Sequence, residues 1–175
     1  ARKGAPLDVD KVDGLAGRFE QQIRRADDIV KGLNQFAHSV DAEEKTIEMG
    51  EALALVTALA TRFISMKGVS VTLAPSEGSC PLTIDPFVLN NLLWFGLKFA
   101  LDHPGPDKKL TLACSSGDGK ISVSYRGLGP VEDGAGTRPL LGEEGQVLAE
   151  SLGAEVRLEA DSASLVMGFA RNING

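Results

Sequence analysis

Between Val12 and Val40 apolar residues return every three or four positions, with Phe19, Ala26, Leu33 and Val40 seven apart and Ile29 and Phe36 interleaved. That period predicts a long helix with a coiled-coil-like seam. Ile23 and Val30 widen the stripe beyond a two-helix seam, so more than one neighbour is expected, as in a four-helix bundle. The residues expected at the contact are Phe19, Ile23, Ala26, Val30, Leu33 and Phe36, buried against another chain or left partly exposed where a preceding helix is absent. A second helical run covers Met49 to Lys67, with Leu53, Val56, Leu59, Ala60 and Phe63 on one face and Gly68 as its stop.

After Gly68 the period shortens to two. Val69, Val71 and Leu73 alternate with Ser70 and Thr72, which predicts a strand. A short strand, Leu82 to Ile84, leads into a strongly apolar helix from Pro86 to His103, with proline suited to its first turn. Strands Leu110 to Cys114 and Ile121 to Tyr125 are expected around a turn at Ser115 to Gly119. Gly127 to Gly142 is rich in Gly and Pro, has no period and is expected to be a mobile loop. A helix from Glu143 to Leu152 then precedes strands Ala154 to Ala160 and Ser164 to Phe169. Strands in runs with helices on one face predict an α+β, two-layer α/β sandwich over residues 46–175, preceded by a dimerisation-type helix and linker over 1–45.

Composition narrows the partners. With 175 residues and 43% hydrophobic content, the chain supports one core rather than two. The net charge of -6 leaves no basic stripe for nucleic acid or an anionic membrane surface. Apolar stretches break before the roughly 20 residues of a bilayer span, and no signal peptide opens the chain, so a cytoplasmic protein is expected. Cys80 and Cys114 lack the short spacing of a metal or redox pair and are read as reduced packing residues. No nucleophile motif or metal-ligand spacing is present.

The element order resembles the Bergerat fold of histidine kinases, type II topoisomerases and heat-shock chaperone ATPases, over about Gln22 to Ala170. Arg24 to Phe36 is similar to the second dimerisation helix of a sensor histidine kinase, directly before its catalytic domain. Asp85-Pro86-Phe87-Val88-Leu89-Asn90-Asn91-Leu92-Leu93, followed by Lys98-Phe99-Ala100, resembles that family's asparagine-bearing helix. The resemblance implies two-component phosphosignalling, a homodimer through the N-terminal helix and a response-regulator receiver domain as a partner. It also implies a Mg-ATP site, and there the chain departs from the family.

Counted from Asp85, the two metal-binding asparagines fall at Phe95 and Phe99, and a phenyl ring offers a hard cation no oxygen. A shift of one turn would bring in Asn91 ahead of Phe95. The family's Asp-x-Gly-x-Gly turn corresponds to Gly127-Leu128-Gly129-Pro130-Val131, without the adenine-binding aspartate. Asp133 belongs to the adjoining loop, where carboxylates are ordinarily solvated. The last glycine motif corresponds to Gly142-Glu143-Glu144-Gly145, whose acids would repel phosphates. Phe95, Phe99, Gly127, Gly129, Gly142 and Gly145 are thus read as vestigial nucleotide-binding positions, with no catalytic residue and no cofactor.

The phosphoacceptor histidine of the family has no counterpart here. His38 stands at a helix end and His103 in a His-Pro-Gly-Pro turn, so the acceptor is expected on a helix upstream. Three readings remain open: a degenerate kinase module for dimerisation, docking or phosphotransfer; an active kinase using Mg-ATP, with Asn90, Asn91 and Asp102 taking over; and a structural dimerisation domain.

Overall fold

The computed structural model describes residues 9–38, 44–76, 78–131, 140–159 and 161–171. Helix α1, Val9–His38, leads to a short strand β1, Lys45–Glu48, and then to α2, Met49–Leu59. Val40, the last residue of the heptad series, lies outside the described residues.

The single helix expected over Met49 to Lys67 is two. Helix α3, Thr61–Lys67, leaves α2 at 61° after Ala60. Hydroxyls at the break bond back to the helix: Thr57 Oγ1 donates to Leu53 O at 2.7 Å and Thr61 Oγ1 to Ala58 O at 2.6 Å. Such back-bonding competes with the main-chain ladder and bends helices. Gly68, at φ 62°, then closes α3 in the left-handed region that favours glycine.

Strands β2, Ser70–Leu73, and β3, Pro81–Ile84, come next and join different sheets. β3 pairs antiparallel with β1, which the sequence pattern did not announce because Lys45-Thr46-Ile47-Glu48 has one apolar residue and no alternation to read. Helix α4, Pro86–Asp102, precedes β4, Lys109–Gly117, and β5, Lys120–Arg126. The β4–β5 pairing runs on to Gly117 opposite Lys120, so Ser115 and Ser116 are strand residues and the turn is Asp118-Gly119 alone. Both turn residues have positive φ, 51° and 72°, which gives the twist of a two-residue hairpin. Helix α5, Gly142–Ser151, and strands β6, Glu155–Glu159, and β7, Ser164–Ala170, complete the chain.

The large sheet has the order β2-β4-β5-β7-β6, with β2 parallel to β4 and every other pair antiparallel. Register places Leu112 beside Tyr125 and Tyr125 beside Leu165, and likewise Cys114, Val123 and Met167, in rows on one face. Those rows share one core with Leu53 and Val56 of α2, Leu89, Leu92, Leu93 and Leu97 of α4, and Ala149 of α5. This is the α+β two-layer sandwich expected from the pattern.

Candidate functional site

Helix α4 is fixed at both ends and along one face. The Asp85 carboxylate accepts from Phe87 N at 2.8 Å and Val88 N at 3.1 Å, and Pro86 follows where a free N–H is not required. On the sheet side Gly96 lets the helix approach β5 closely. A Cβ there would lie 2.8 Å from the Tyr125 ring and against Met167 Cε. Tyr125 is wholly buried and donates its hydroxyl to Leu93 O at 2.9 Å, which ties helix to sheet. Burial holds its phenol well above the ordinary value.

Asn91, Phe95 and Phe99 are four residues apart and all half-buried. Asn91 Nδ2 donates to Phe87 O of its own helix at 2.8 Å. Phe95 lies against Gly145 of α5, where a Cβ would meet its ring at 3.4 Å, and Lys98 Nζ stands 6.0 Å from the ring centre. Phe99 stacks on His103 with ring centroids 4.5 Å apart. Trp94 turns elsewhere, to Phe63 of α3 at 5.3 Å. Asp102 pairs with Lys67 at 2.7 Å. Asn90 and Asn91 both line an apolar cavity beside α2, whereas Asp102 is held by Lys67 at the other end of α4, so the three do not converge on one point.

The glycines after β5 are consumed by contact within the chain. Gly105 N donates to Gly127 O at 2.9 Å, Gly129 N to His103 O at 3.0 Å and Leu128 N to Ala163 O at 3.0 Å. A Cβ on Gly129 would come within 3.0 Å of Pro104 O, and one on Gly127 would run into Lys109 O. Gly127 also has φ 90°, a conformation strained for any residue with a side chain. The turn is therefore pinned at its start, where a mobile loop was expected; residues 132–139, including Asp133, lie outside the described residues. Beyond the turn, Leu128, Pro130, Leu158, Glu159 and Ser164 line a cavity of about 450 Å³. Glu159 is engaged with Arg157 at 3.0 Å and Ser162 at 3.1 Å.

Gly142 begins α5 at φ 74° with open space where a Cβ would be, and Gly145 is buried. Glu143 and Glu144 are exposed on the first turn of α5. No group of three or more His, Cys, Asp or Glu able to hold a metal occurs among the described residues.

No protein-family model matches the chain, and no curated protein matches it. Solved structures do. The Acinetobacter baumannii histidine kinase AdeS aligns at 13% identity with a TM-score of 0.60, over 97% of this chain and 87% of that one. The ATP binding domain of PrrB from Mycobacterium tuberculosis aligns at 18% identity with a TM-score of 0.58, over 72% and 95%. The histidine kinase domain of the Erythrobacter litoralis blue-light activated kinase EL346 aligns at 16% identity with a TM-score of 0.52, over 94% and 87%. The chain has the histidine kinase catalytic-domain fold.

Set in this histidine kinase-like fold, five of the six positions read from the sequence as vestigial fall into two groups, and Gly142 stands apart. Phe95 and Gly145 touch directly; Phe99, Gly127 and Gly129 are linked through His103 to Gly105. In the register counted from Asp85 the asparagine positions are Phe95 and Phe99, and in the register one turn earlier they are Asn91 and Phe95. In both registers the family's pattern would have an asparagine where this chain has Phe95. These residues do not fit Mg-ATP as the family's motifs would hold it: position 95 has no oxygen, position 127 has no carboxylate, and the final glycine motif carries two acids.

The seam of α1 is largely open. Phe19, Ile23, Ala26, Val30 and Leu33 are exposed, Phe19 by 66% and Ile23 by 67%. Phe36 differs, half-buried with its ring 5.5 Å from that of Phe87 on α4. His38 is exposed in the last turn of α1, whereas His103 is part-buried, with Nδ1 2.9 Å from Phe99 O. Among the described residues no single helix is long and apolar enough to cross a membrane.

The pattern along the sequence gave no notice of Gly96 on Tyr125. A glycine inside an otherwise apolar helix is the one signal that could have found it.

Proposed function

We propose that this domain is a histidine kinase-type module that has lost nucleotide binding and serves two-component phosphosignalling as a homodimerising docking unit, with a response-regulator receiver domain as its partner. The observation that carries this reading is Gly127. Its φ of 90° and the carbonyl of Lys109 leave no room for a side chain at the position where the family places its adenine-binding aspartate. Loss of that hydrogen bond removes the main polar discrimination of a site built around adenine. The phenyl ring at Phe95 and the acids at Glu143 and Glu144 act in the same direction on metal and phosphates. Exposure of five seam residues on α1 supports a second copy as the covering surface.

Calorimetry with Mg-ATP and Mg-ADP tests the nucleotide half of the proposal. No saturable binding is expected at or below about a millimolar, since each 1.4 kcal/mol lost weakens binding tenfold. Saturable binding below that level would instead favour an active kinase that uses Asn91 as its remaining metal-side asparagine. The double variant Phe99→Asn with Gly127→Asp is expected to leave binding undetected, because the aspartate meets the backbone of Lys109 rather than a ligand.

A further inference from the structure

The cavity between α1, α2, α3 and α4 is lined by none of Phe95, Phe99, Gly127, Gly129, Gly142 and Gly145. Phe36, Val56, Leu59, Phe63, Asn90 and Trp94 contribute to its lining, and its volume is about 210 Å³. An apolar cavity of about 150 Å³ suffices to take up a benzene ring. This one has room for a single substituted ring.

Asn90 distinguishes it from a packing defect. The residue is 5% exposed, in a wall that is apolar apart from it and Asn91, and its Oδ1 accepts no hydrogen bond from the described protein. A buried carboxamide oxygen without a donor is costly, whereas leucine at the same place would be free of that cost. Nor does Asn90 serve the helix as its neighbour does, since it is Asn91 that bonds back to Phe87 O. The two ends of the carboxamide exchange by a half-turn of the side chain, so the group can present either a donor or an acceptor to the cavity.

We infer that this cavity is a binding site for a small, single-ring apolar molecule bearing one hydrogen-bonding group, with Asn90 as the polar contact and the aromatic rings of Phe36, Phe63 and Trp94 as walls. The geometry gives the site a position of consequence. Phe36 belongs to α1 and the remaining walls to the sandwich, so an occupant would touch both and hold α1 in its present seat. Gly32, one turn before Phe36, already rests on Leu55 and Leu59, where a Cβ would stand 3.3 to 3.4 Å from their side chains.

Trp94 is the chain's single tryptophan, which gives a built-in reporter. Phenol and toluene, nearly identical in shape, serve as probes, with Trp94 emission excited at the red edge of its absorption in the whole chain. Saturable changes are expected with both. Asn90→Leu should weaken phenol about three- to tenfold, the range of one hydrogen bond, while toluene binds as well or better. Leu59→Phe, which fills the cavity from a half-buried position, should abolish saturation by both probes. Linear, unsaturable quenching of the unaltered chain would overturn the inference, as would an unchanged phenol-to-toluene ratio in Asn90→Leu. If Asn90→Leu fails to fold, the Leu59→Phe chain decides: saturation retained there places the probes elsewhere and overturns it equally.

Discussion

The two long helices, α1 and α4, are both rich in apolar residues and have opposite fates. In α4, Leu89, Leu92, Leu93 and Leu97 are completely buried by the sheet and by α2. In α1, Phe19, Ile23, Val30 and Leu33 are more than half exposed. The difference lies in what the rest of the chain supplies. Helix α4 has a sheet whose inward rows match its face and a glycine where the approach is closest. Helix α1 meets the sandwich chiefly near its C-terminal end, at Gly32 and Phe36, and leaves its N-terminal two-thirds without a covering surface from the described residues. A helical stripe is thus evidence that something will bury it, and only the fold says whether that something is in the same chain.

The strongest way to break this comparison is to charge the open seam. Phe19→Asp with Ile23→Asp removes two large side chains per copy from the proposed dimer contact, each worth roughly 1.5 to 3 kcal/mol of burial. Sedimentation equilibrium should show dimer association weakened by a hundredfold or more, while urea unfolding of the sandwich changes by less than about 0.5 kcal/mol, the usual range for exposed sites. A chain that is monomeric before any substitution would remove α1 as a dimer surface and leave its stripe unexplained.

A second test makes the same substitution in both helices. Gly96→Ala places a methyl group against Tyr125 and Met167, and although the Met167 end can move, the ring held by Leu93 cannot do so freely. The expected cost is about 1 to 3 kcal/mol in urea unfolding. Gly17→Ala has open space around it and lies on the side of α1 away from Phe19, so it should stabilise the helix by up to about 1 kcal/mol through propensity. Equal effects at the two sites would mean that α4 is packed no more tightly than α1.

These contrasts explain which features could be read from the sequence. Periodicities of 3.6 and 2 reflect burial on one face, so α1, α4 and the strands of the large sheet are visible as patterns. The break at Ala60 depends on hydroxyl bonds to the backbone, β1 depends on β3 for its existence, and neither leaves a period. Candidate site positions are legible as chemistry: Phe95 lacks an oxygen and Gly127 a carboxylate whatever the fold. The reason Gly127 is glycine is legible only in space, because Lys109 is 18 residues away in sequence and meets it through a main-chain carbonyl. The isolation of Asn90 was invisible for the same reason, since it depends on residues from four helices.

The smallest expected effect concerns the single hydrogen bond that joins α4 to the sheet. Tyr125→Phe keeps the ring against Gly96 and removes only the hydroxyl donated to Leu93 O, so near neutral pH it should cost about 1 kcal/mol, the net value of one such bond. At alkaline pH the sign of its effect changes. Burial raises the Tyr125 phenol above its ordinary value of 10.0, so the unfolded chain releases this proton first and the native state loses stability as pH climbs past 10. Cys80 adds an earlier decline of the same sign. Burial and the neighbouring Cys114 raise its thiol from 9.0 to about 11, so its contribution is complete below pH 9 and lost through the window up to about 11. Tyr125→Phe removes the tyrosine part and leaves the cysteine part. Urea unfolding followed from pH 7 to 11 should therefore show the variant less stable at neutral pH, parallel to the unaltered chain between about 9 and 10, and less steeply declining above 10. A variant whose curve stays parallel above pH 10 would show that the Tyr125 hydroxyl ionises as readily folded as unfolded, and that α4 is held less closely to the sheet than the 2.9 Å bond indicates.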